Sequence, residues 1–377
     1  MAGIYIHTPF CKTKCAYCDF YSTPKGTNYQ KLVENLELEG RMRKDFFGNG
    51  SLVGTIYLGG GTPSLLPSEC IGQVLKNLRS TFPIAANPEV TLEANPDDLT
   101  LNYLKDILAL GVNRLSIGVQ SFSDADLSFL GRRHDAAQAL ESVAMAHAAG
   151  FSNISIDLMY GIPHSTPRVW EESLRQALGL PITHMSCYHL TLEPNTPLAQ
   201  RAEGSLVAPV SEERSATEFG ILRNLSERYG FEHYEVSNLA REGFRSRHNS
   251  AYWQGVPYLG LGPSAHSYNG GQRFWNPRSV SAWEDALRNG GAGIQHETLT
   301  PSQRQNEYLL TSLRTLGGVD IQEMENLFGA HAATRAKGIA NRYIAQGAME
   351  SQANRIWIKP DFFLVSDGII CNFMVGV

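Results

Sequence analysis

Three of the six cysteines of this 377-residue chain lie within eight residues, as Cys11, Cys15 and Cys18. Structural zinc sites usually take a second pair of ligands from further along the chain, and no CxxC or HxxxH motif follows this loop. Three thiolates in one loop suit an iron–sulfur cluster, and a four-iron cubane with three protein ligands leaves one iron open. The spacing therefore favours a [4Fe-4S] cluster whose open iron binds a substrate or cofactor directly.

The composition indicates a cytoplasmic protein. The formal net charge of −5 at pH 7 argues against bulk electrostatic binding of nucleic acid or of an anionic membrane surface. We find no secretory signal, and no apolar stretch approaches the roughly 18 residues of a spanning helix. In a reducing compartment a tight group of thiols favours a metal site over disulfides. The isolated Cys70, Cys187 and Cys371 are expected to be packing residues.

Short β-rich runs alternate with segments that carry apolar residues at helical spacing. The predicted strands are 3–7, 54–60, 89–95, 114–120, 154–161 and 184–190. The predicted helices lie near 28–45, 67–81, 97–110, 124–149 and 167–179. This alternation predicts right-handed βα units around a parallel sheet, either an open doubly wound sheet or an incomplete barrel. Both architectures place ligands at the carboxyl ends of the strands.

Polar residues gather at or near the ends of all six predicted strands. They are His7, the segment 59–63 (GGGTP), Glu93, Asn95, Gln120, Ser121, Asp157 and His189. A single polar residue at a strand end is usually a turn former. Six consecutive strands that follow the same pattern indicate one shared ligand-binding face.

The last third of the chain has a different pattern. Residues 241–299 are rich in aromatic residues and glycine, and we expect them to form a linker and pocket region after a barrel domain of residues 1–240. Residues 300–377 return to helical spacing and then carry two short β-like runs, which is typical of a small winged-helix-like module. The module has no basic stripe, so packing or partner contact is favoured over nucleic-acid binding.

The cysteine motif resembles that of a known superfamily. Cys-x3-Cys-x2-Cys after the first strand, with GGGTP at the end of the second, is similar to the motif of radical S-adenosylmethionine (SAM) proteins. The segments YIHTPFCKTKCAYCDF, YLGGGTPSLL and SIDLMYGIP resemble the oxygen-independent coproporphyrinogen III oxidase branch, the HemN/HemW family. The resemblance implies an α/β fold, a partial (βα)6 TIM-like barrel of the radical SAM type, with a small C-terminal α+β domain.

The resemblance also implies roles for individual residues. Cys11, Cys15 and Cys18 would ligate the cluster, and the open iron would chelate the methionyl amine and carboxylate of SAM. The residues implied around SAM are Tyr5, Tyr17, Gly60, Gly61, Thr62, Glu93, Gln120, Arg132 and Asp157. Some members of the family hold a second SAM, and His189 and His266 fall beside that second pocket. Hydrogen-bonded core residues are the equal alternative for both histidines.

Two features depart from the decarboxylating enzymes of this family. Those enzymes carry a fourth cysteine where this chain has Phe20, and they have a longer segment before the first strand. Phe20 and the motif HNSAYW, with His248, Asn249, Tyr252 and Trp253, resemble the HemW-type haem chaperones within the family. That resemblance implies a protein that binds haem and delivers it to respiratory haemoproteins.

The chemistry of the HNSAYW motif leaves its role open. A histidine such as His248 can ligate haem iron, and aromatic rings offer flat apolar surface to the macrocycle. Arg245 and Arg247, which precede the motif, could pair with haem propionates. The same residues could instead cap a turn and anchor the linker against the barrel. His266 and Cys187 are alternative iron ligands.

Three functions follow from these patterns. The leading one is a haem chaperone that carries a [4Fe-4S] cluster and SAM, with haem and haem-accepting respiratory proteins as its partners. The alternative is an enzyme, an oxygen-independent coproporphyrinogen III dehydrogenase of porphyrin biosynthesis, which Phe20 disfavours. The third is a radical SAM enzyme that acts on a nucleic acid or another tetrapyrrole, and the acidic charge disfavours nucleic acid. Dimerisation and peripheral membrane contact stay open.

Overall fold

A computed structural model describes residues 1–23, 28–48, 50–204 and 207–376 of the chain. Six parallel strands pair in their sequence order. They are β1 (Ala2–Thr8), β2 (Val53–Gly60), β3 (Ile84–Ala94), β4 (Arg114–Gln120), β5 (Ile154–Tyr160) and β6 (His184–His189). Each predicted strand is present, with its bounds moved by a few residues. The prediction of a partial (βα)6 barrel is confirmed.

Helices lie between these strands. They are α1 (Tyr29–Met42), α2 (Ser68–Thr81), α3 (Leu101–Ala109), α4 (Asp124–Leu130), α5 (Ala136–Ala148) and α6 (Pro167–Leu178). All but α4 bury their apolar faces in the main core, and Leu130 of α4 packs in a smaller cluster with Ala16 and Leu198. The predicted helix 124–149 is two helices, because Gly131 takes a left-handed conformation with φ +74° and ends α4. Asp135 then begins α5 with a capping box. The predicted helix 97–110 starts later, where the Thr100 side chain caps α3.

The sheet continues on both sides of the barrel strands. After α7 (Pro197–Glu203) and α8 (Glu212–Arg228), β8 (Asn238–Ala240) pairs antiparallel with β6 and with β7 (Glu232–Glu235). On the other side, β9 (Tyr258–Leu261) pairs parallel with β1 and is followed by β10 (His266–Tyr268), β11 (Gln272–Trp275) and β12 (Gln295–Thr298). Four short strands of the expected linker 241–299 therefore belong to the sheet, and they cover the edge that β1 would otherwise present.

The barrel interior is filled in layers, because alternate residues of a strand point to the same face. Thr55, in the amino-terminal half of β2, pairs with Glu89 in the middle of β3. The helix α9 (Arg247–Trp253) closes this end of the barrel. Its first N–H groups, those of Arg247 (3.0 Å) and His248 (2.9 Å), donate hydrogen bonds to the Glu89 carboxylate. The HNSAYW motif therefore lies at the amino end of the barrel, whereas the cysteine loop follows the carboxyl end of β1.

A small C-terminal module follows α10 (Val280–Arg288), which packs on α1. The module contains α11 (Pro301–Leu313), β13 (Val319–Asp320), α12 (Ile321–Phe328), α13 (Ala330–Ala345), β14 (Met349–Gln352), β15 (Arg355–Ile358) and α14 (Ser366–Cys371). Its strands form an antiparallel sheet in the order β13-β15-β14. Helices followed by a hairpin give the expected winged-helix-like arrangement. In the described part of the chain, no helix has both the length and the apolar character needed to cross a bilayer.

Candidate functional site

The three clustered cysteines lie in the loop after β1, beside the carboxyl ends of the barrel strands. Cys11, Cys15 and Cys18 line one cavity of about 650 Å³, here called the cysteine cavity. The Thr62 hydroxyl donates a hydrogen bond to Cys11 Sγ (3.4 Å), and Arg132 donates one to Cys15 Sγ (3.2 Å). Two side chains from the barrel therefore hold the sulfur atoms of this loop in place.

The arrangement of these thiols suits a cluster better than a single ion. Within the described ranges, no group of three or more His, Cys, Asp or Glu side chains is placed to hold one metal ion. A cubane takes each thiolate on a different iron, so its ligands need not converge on one point. Three thiols on one loop, all facing the same cavity, fit a four-iron cluster with one iron left to another ligand.

The glycines that end β2 allow the cysteine loop to pack closely. A Cβ atom on Gly61 would lie 2.6 Å from the Phe10 carbonyl oxygen and 3.1 Å from Cys11 Sγ. Gly60 has a φ of +104°, a conformation that other residues rarely adopt. Any side chain at Gly61 would therefore push the cysteine loop away from the strand. Gly61 and Thr62 line the cysteine cavity.

Polar side chains from neighbouring strands and loops line the same cavity. They are Tyr17, Glu93, Asn95, Gln120, Arg132, Asp157 and His189. Gln120 has a φ of +70°, which is strained for a residue other than glycine. Arg132 donates hydrogen bonds to the Gly118 carbonyl (2.7 Å) and to Asn95 Oδ1 (2.5 Å), but its Nε is buried with no partner among the described residues. A bound carboxylate would remove the cost of that unpaired donor.

Two partly buried carboxyl groups lie at this cavity. Glu93 accepts hydrogen bonds from the Tyr57 hydroxyl (2.7 Å) and the Gly60 N–H (3.1 Å). Burial raises the pKa of Glu93 to about 7, and nearby Asp157 adds to the rise. Burial likewise raises the pKa of Asp157, which accepts a hydrogen bond from the Ser116 hydroxyl (3.2 Å). Both groups therefore hold a proton more readily than exposed carboxyls do.

We expect Glu93→Gln to flatten the pH dependence of apoprotein stability. Because the folded-state pKa of Glu93 is raised to about 7, its protonated form favours folding below the unfolded pKa of about 4.3. That contribution is lost as pH rises through about 7, which makes the wild type less stable there by about 1–3 kcal/mol. Urea unfolding of both proteins at about pH 5 and about pH 8 measures the difference. Parallel profiles for the two proteins would contradict the raised pKa.

A second cavity, of about 870 Å³ and here called the aromatic cavity, adjoins the cysteine cavity. The two cavities share Asp19, Phe20, Glu93 and Tyr188 among their lining residues. Phe20, at the position of the absent fourth cysteine, is 65% exposed. The rings that line the aromatic cavity include Tyr5, His7, Tyr21, Tyr57, His248, Tyr252, His266 and Trp275. Tyr5 and Gly60, both implied beside SAM, thus line the aromatic cavity.

His248 of the HNSAYW motif is buried in the wall of the aromatic cavity. Its Nδ1 shares a hydrogen bond with Thr55 Oγ1 (2.8 Å), and its ring stacks on Tyr57 with centroids 5.0 Å apart. Burial lowers the pKa of His248 to about 3, so the ring is neutral. Its Nε2 has no hydrogen-bond partner in the described part of the chain and almost no exposed surface. A haem iron could reach that nitrogen only after the surrounding rings move.

The two arginines before the motif are engaged elsewhere. Arg245 pairs with Glu232 (2.6 Å), and Arg247 donates a hydrogen bond to the Asn87 carbonyl (3.0 Å). Neither side chain lines the aromatic cavity. The expectation that they bind propionates beside His248 is wrong for this cavity. The reason is that α9 begins at the amino end of the barrel, where both arginines lie.

A third cavity, of about 1220 Å³, lies between the barrel and the C-terminal module. Cys187 and His189 of β6 line this cavity. Asn249, Tyr252 and Trp253 of the HNSAYW motif line it as well. Asn249 and Tyr252 also line the aromatic cavity. His189 Nε2 shares a hydrogen bond with Ser215 Oγ (2.9 Å). The resemblance implied that His189 and His266 lie beside the same second SAM pocket. They line different cavities, because β6 and β10 are far apart in the order of strands in the sheet.

Two residues that line these cavities, Tyr188 and Trp275, were not predicted from the sequence. Tyr188 lines all three cavities, and Trp275 lines the aromatic cavity. Tyr188 lies two residues after Ser186 on β6 and pairs with Met159, so strand alternation could have placed it on the inner face. Trp275 offered no such strand signal, because its segment was expected to be a linker and pocket region.

Comparisons with known proteins define the class. Residues 5–177 match the Radical SAM superfamily. The structure is similar to that of the coproporphyrinogen III oxidase HemN of Escherichia coli, a radical SAM enzyme, with a TM-score of 0.85. The likeness covers 100% of this chain and 90% of that one at 22% sequence identity, and so shows a shared fold. Residues 5–177 therefore form a radical SAM domain, within a fold that the whole chain shares with that structure.

Relatives in sequence narrow the class to a family. A protein of Bacillus subtilis named "Heme chaperone HemW" is 36% identical over 99% of this chain and 99% of its own. A protein of the same name from Lactococcus lactis is 33% identical over 98% of this chain and 97% of its own. This chain belongs to the HemW family, and its resemblance to the HemN/HemW branch is confirmed.

Proposed function

We propose that this protein is a haem chaperone that holds a [4Fe-4S] cluster and SAM in the cysteine cavity and haem in the aromatic cavity. The observation that carries the proposal is that the two cavities adjoin and share the exposed Phe20. Phe20 stands where the decarboxylating enzymes of the family would have a fourth cysteine. The relatives named as heme chaperones support the same function.

In the cysteine cavity, the three clustered cysteines would hold the cluster. The carboxylate of SAM would meet Arg132, whose buried Nε is an unpaired donor within the described ranges. The sulfonium of SAM is cationic, and Glu93 and Asp157 line the same cavity, where a nearby positive charge would favour their ionised forms. When bound, the cluster and SAM supply one-electron chemistry. The residues of this chain bind and orient both groups and exclude water.

In the aromatic cavity, apolar surface and volume support haem as the cargo. A cavity of about 870 Å³ is within the range of sites that enclose ligands of this size. Tyrosine and tryptophan rings provide the flat contact that a porphyrin face requires. The exposed Phe20 at the border adds a large apolar ring that a porphyrin could cover.

Haem titration tests this function. The anaerobically reconstituted protein is expected to bind haem, with a Soret band that saturates near one haem per chain. Phe20→Ala should weaken binding by about tenfold, because it removes apolar contact with the macrocycle. Leu52→Ala, at an exposed apolar residue outside the cavity lining, is the matched control and should bind as the wild type does. No saturable uptake by the wild type would refute the proposal.

A second candidate function is anaerobic oxidation of coproporphyrinogen III. The polar residues that line the cysteine cavity favour it, because a radical SAM enzyme would need the same set. Phe20 opposes it. Incubation with reductant, SAM and coproporphyrinogen III separates the two functions. Protoporphyrinogen IX formed with turnover would support the enzyme, and its absence alongside haem binding would support the chaperone.

A chaperone must also release its cargo. The proposed partners are haem-accepting respiratory proteins, met in the cytoplasm or at a membrane surface. Haem-loaded protein mixed with an apo-acceptor should transfer its Soret absorbance to the acceptor during gel filtration. Retention of haem on this chain would indicate storage instead of delivery. The same gel filtration, run with and without the cluster, reports whether the chain dimerises.

A further inference from the structure

Three histidines of the described chain line the aromatic cavity, and they differ in access. Both ring nitrogens of His7 are engaged, Nδ1 with the Tyr5 hydroxyl (3.2 Å) and Nε2 with the Tyr21 carbonyl (2.9 Å). His248 is buried in its stack. His266 is exposed, and its ring nitrogens make no hydrogen bond with the residues that the structure describes. Of the three, His266 is therefore the imidazole that a ligand can reach without rearrangement.

The strand pair β10–β11 positions His266. It lies opposite Trp275 in the antiparallel register, with ring centroids 6.4 Å apart and ring planes inclined by 24°. Trp275 Nε1 donates a hydrogen bond to Gln295 Oε1 (2.6 Å) on β12, which holds the indole in place. Ser264, in the turn before β10, has a strained φ of +64° and also lines the cavity. His266 thus has a rigid support on one side and open space on the other.

A positively charged side chain lies at the edge of the aromatic cavity, as His266 does. Arg278 lines the aromatic cavity, and its side chain is 69% exposed. It donates a hydrogen bond to the Asp19 carbonyl (3.3 Å) and lies 3.7 Å from the Asp19 carboxylate. Exposed pairs of this kind contribute little, so the guanidinium is available to a second carboxylate. Asp19 follows Cys18, so Arg278 also joins this rim to the cysteine loop.

We propose that His266 is the protein ligand of the haem iron, that Trp275 positions its ring, and that Arg278 binds a haem propionate. This rests on the proposed haem-binding function and places its iron ligand outside the HNSAYW motif. An imidazole nitrogen donates its lone pair to the iron, and the iron keeps its oxidation state. His248 then supports the cavity wall through its stack on Tyr57.

Haem titration of wild type, His266→Ala, His248→Ala and His296→Ala tests the ligand. His296, on the neighbouring strand β12, stacks on Phe274 and lies outside the cavity lining, so its replacement is the matched control. His266→Ala is expected to weaken haem binding by at least about tenfold. It should also lose the nitrogen-ligand signature in electron paramagnetic resonance of ferric haem. Free imidazole in the buffer should restore that signature.

The other variants are expected to keep the signature. Retention of wild-type affinity and signature by His266→Ala would overturn the assignment, as would loss of the signature in His248→Ala alone. Thermal unfolding without haem shows whether each variant is folded, and His266→Gln replaces His266→Ala if the smaller side chain does not support the fold. A wild type that binds no haem would refute the proposed function itself and with it this ligand.

Arg278→Gln tests the propionate contact. The wild type is expected to bind haem about tenfold more tightly than haem dimethyl ester, in which the propionates carry no charge. Arg278→Gln should bind both forms about equally. Arg288→Gln, at an exposed arginine paired with Glu284 and Asp285 on α10, is the control and should keep the wild-type preference. An unchanged preference in Arg278→Gln would overturn this contact while leaving the iron ligand to the histidine variants.

Discussion

Cys15→Ala is expected to lower the iron and sulfide bound by the anaerobically reconstituted protein by at least about tenfold. Cys15 lines the cysteine cavity beside Cys11 and Cys18 and accepts a hydrogen bond from Arg132. Its removal leaves two thiolates for a cluster that needs three. Within the described chain, no further cysteine lines this cavity to take its place. The visible absorption of the cluster should disappear together with the iron.

Two cysteine variants serve as controls for this result. Cys371 is exposed in the C-terminal module, and Cys70 is buried on α2, so both lie away from the cysteine cavity. Cys371→Ala and Cys70→Ala should retain the full iron and sulfide content. Far-ultraviolet circular dichroism should show that Cys15→Ala keeps the fold, because its side chain is only partly buried. An intact cluster in Cys15→Ala would show that this loop does not hold it.

The largest effect on stability is expected for Glu39→Ala, which should lower the free energy of unfolding by about 3–5 kcal/mol. Glu39 on α1 is fully buried and forms an ion pair with Arg43 (3.5 Å). Its carboxylate accepts hydrogen bonds from the Gly262 N–H (2.8 Å), Asn276 Nδ2 (2.6 Å) and Trp283 Nε1 (3.0 Å). Without the carboxylate, the Gly262 N–H and the Trp283 indole lose their acceptor, and the Arg43 guanidinium loses its counter-charge.

Urea unfolding followed by circular dichroism measures this loss. Glu34→Ala, on the same helix but in an exposed pair with Lys31, is the control and should stay within about 0.5 kcal/mol of the wild type. Gly262 and Asn276 flank β10 and β11, so Glu39→Ala should also loosen the strands that carry His266. Equal stability of Glu39→Ala and Glu34→Ala would contradict the role assigned to the buried carboxylate.

Local patterns were sufficient to predict the barrel. Six β-rich runs and the helical spacing between them lie in short windows of sequence, and parallel βα units leave few topologies to choose from. The break at Gly131 was missed, because a glycine that ends a helix in the left-handed region looks the same in sequence as one inside a helix. The capping residue Asp135 was the available signal for the second helix.

The cysteine loop was also readable from the sequence, because its thiols lie within eight residues and their chemistry depends on that spacing. The strands β9 to β12, which extend the sheet beyond β1, could not be predicted from the sequence. Tyr258 of β9 pairs with Gly3 of β1, although most of the chain separates the two residues in sequence. No local sequence pattern identifies so distant a partner. Glu39 likewise reads as an ordinary helical acid, yet its acceptor role depends on Asn276 and Trp283, which lie 237 and 244 residues further along.

The sequence by itself determined the barrel strands, the cysteine motif and the residue types suited to a cluster, SAM and haem. Only the tertiary structure decided which histidine of the aromatic cavity is accessible. His248 is covered by Thr55 and Tyr57 from β2, whereas His266 stands open at the rim beside Trp275. The physical reason is that burial depends on every element packed around a side chain, and these elements come from distant parts of the chain.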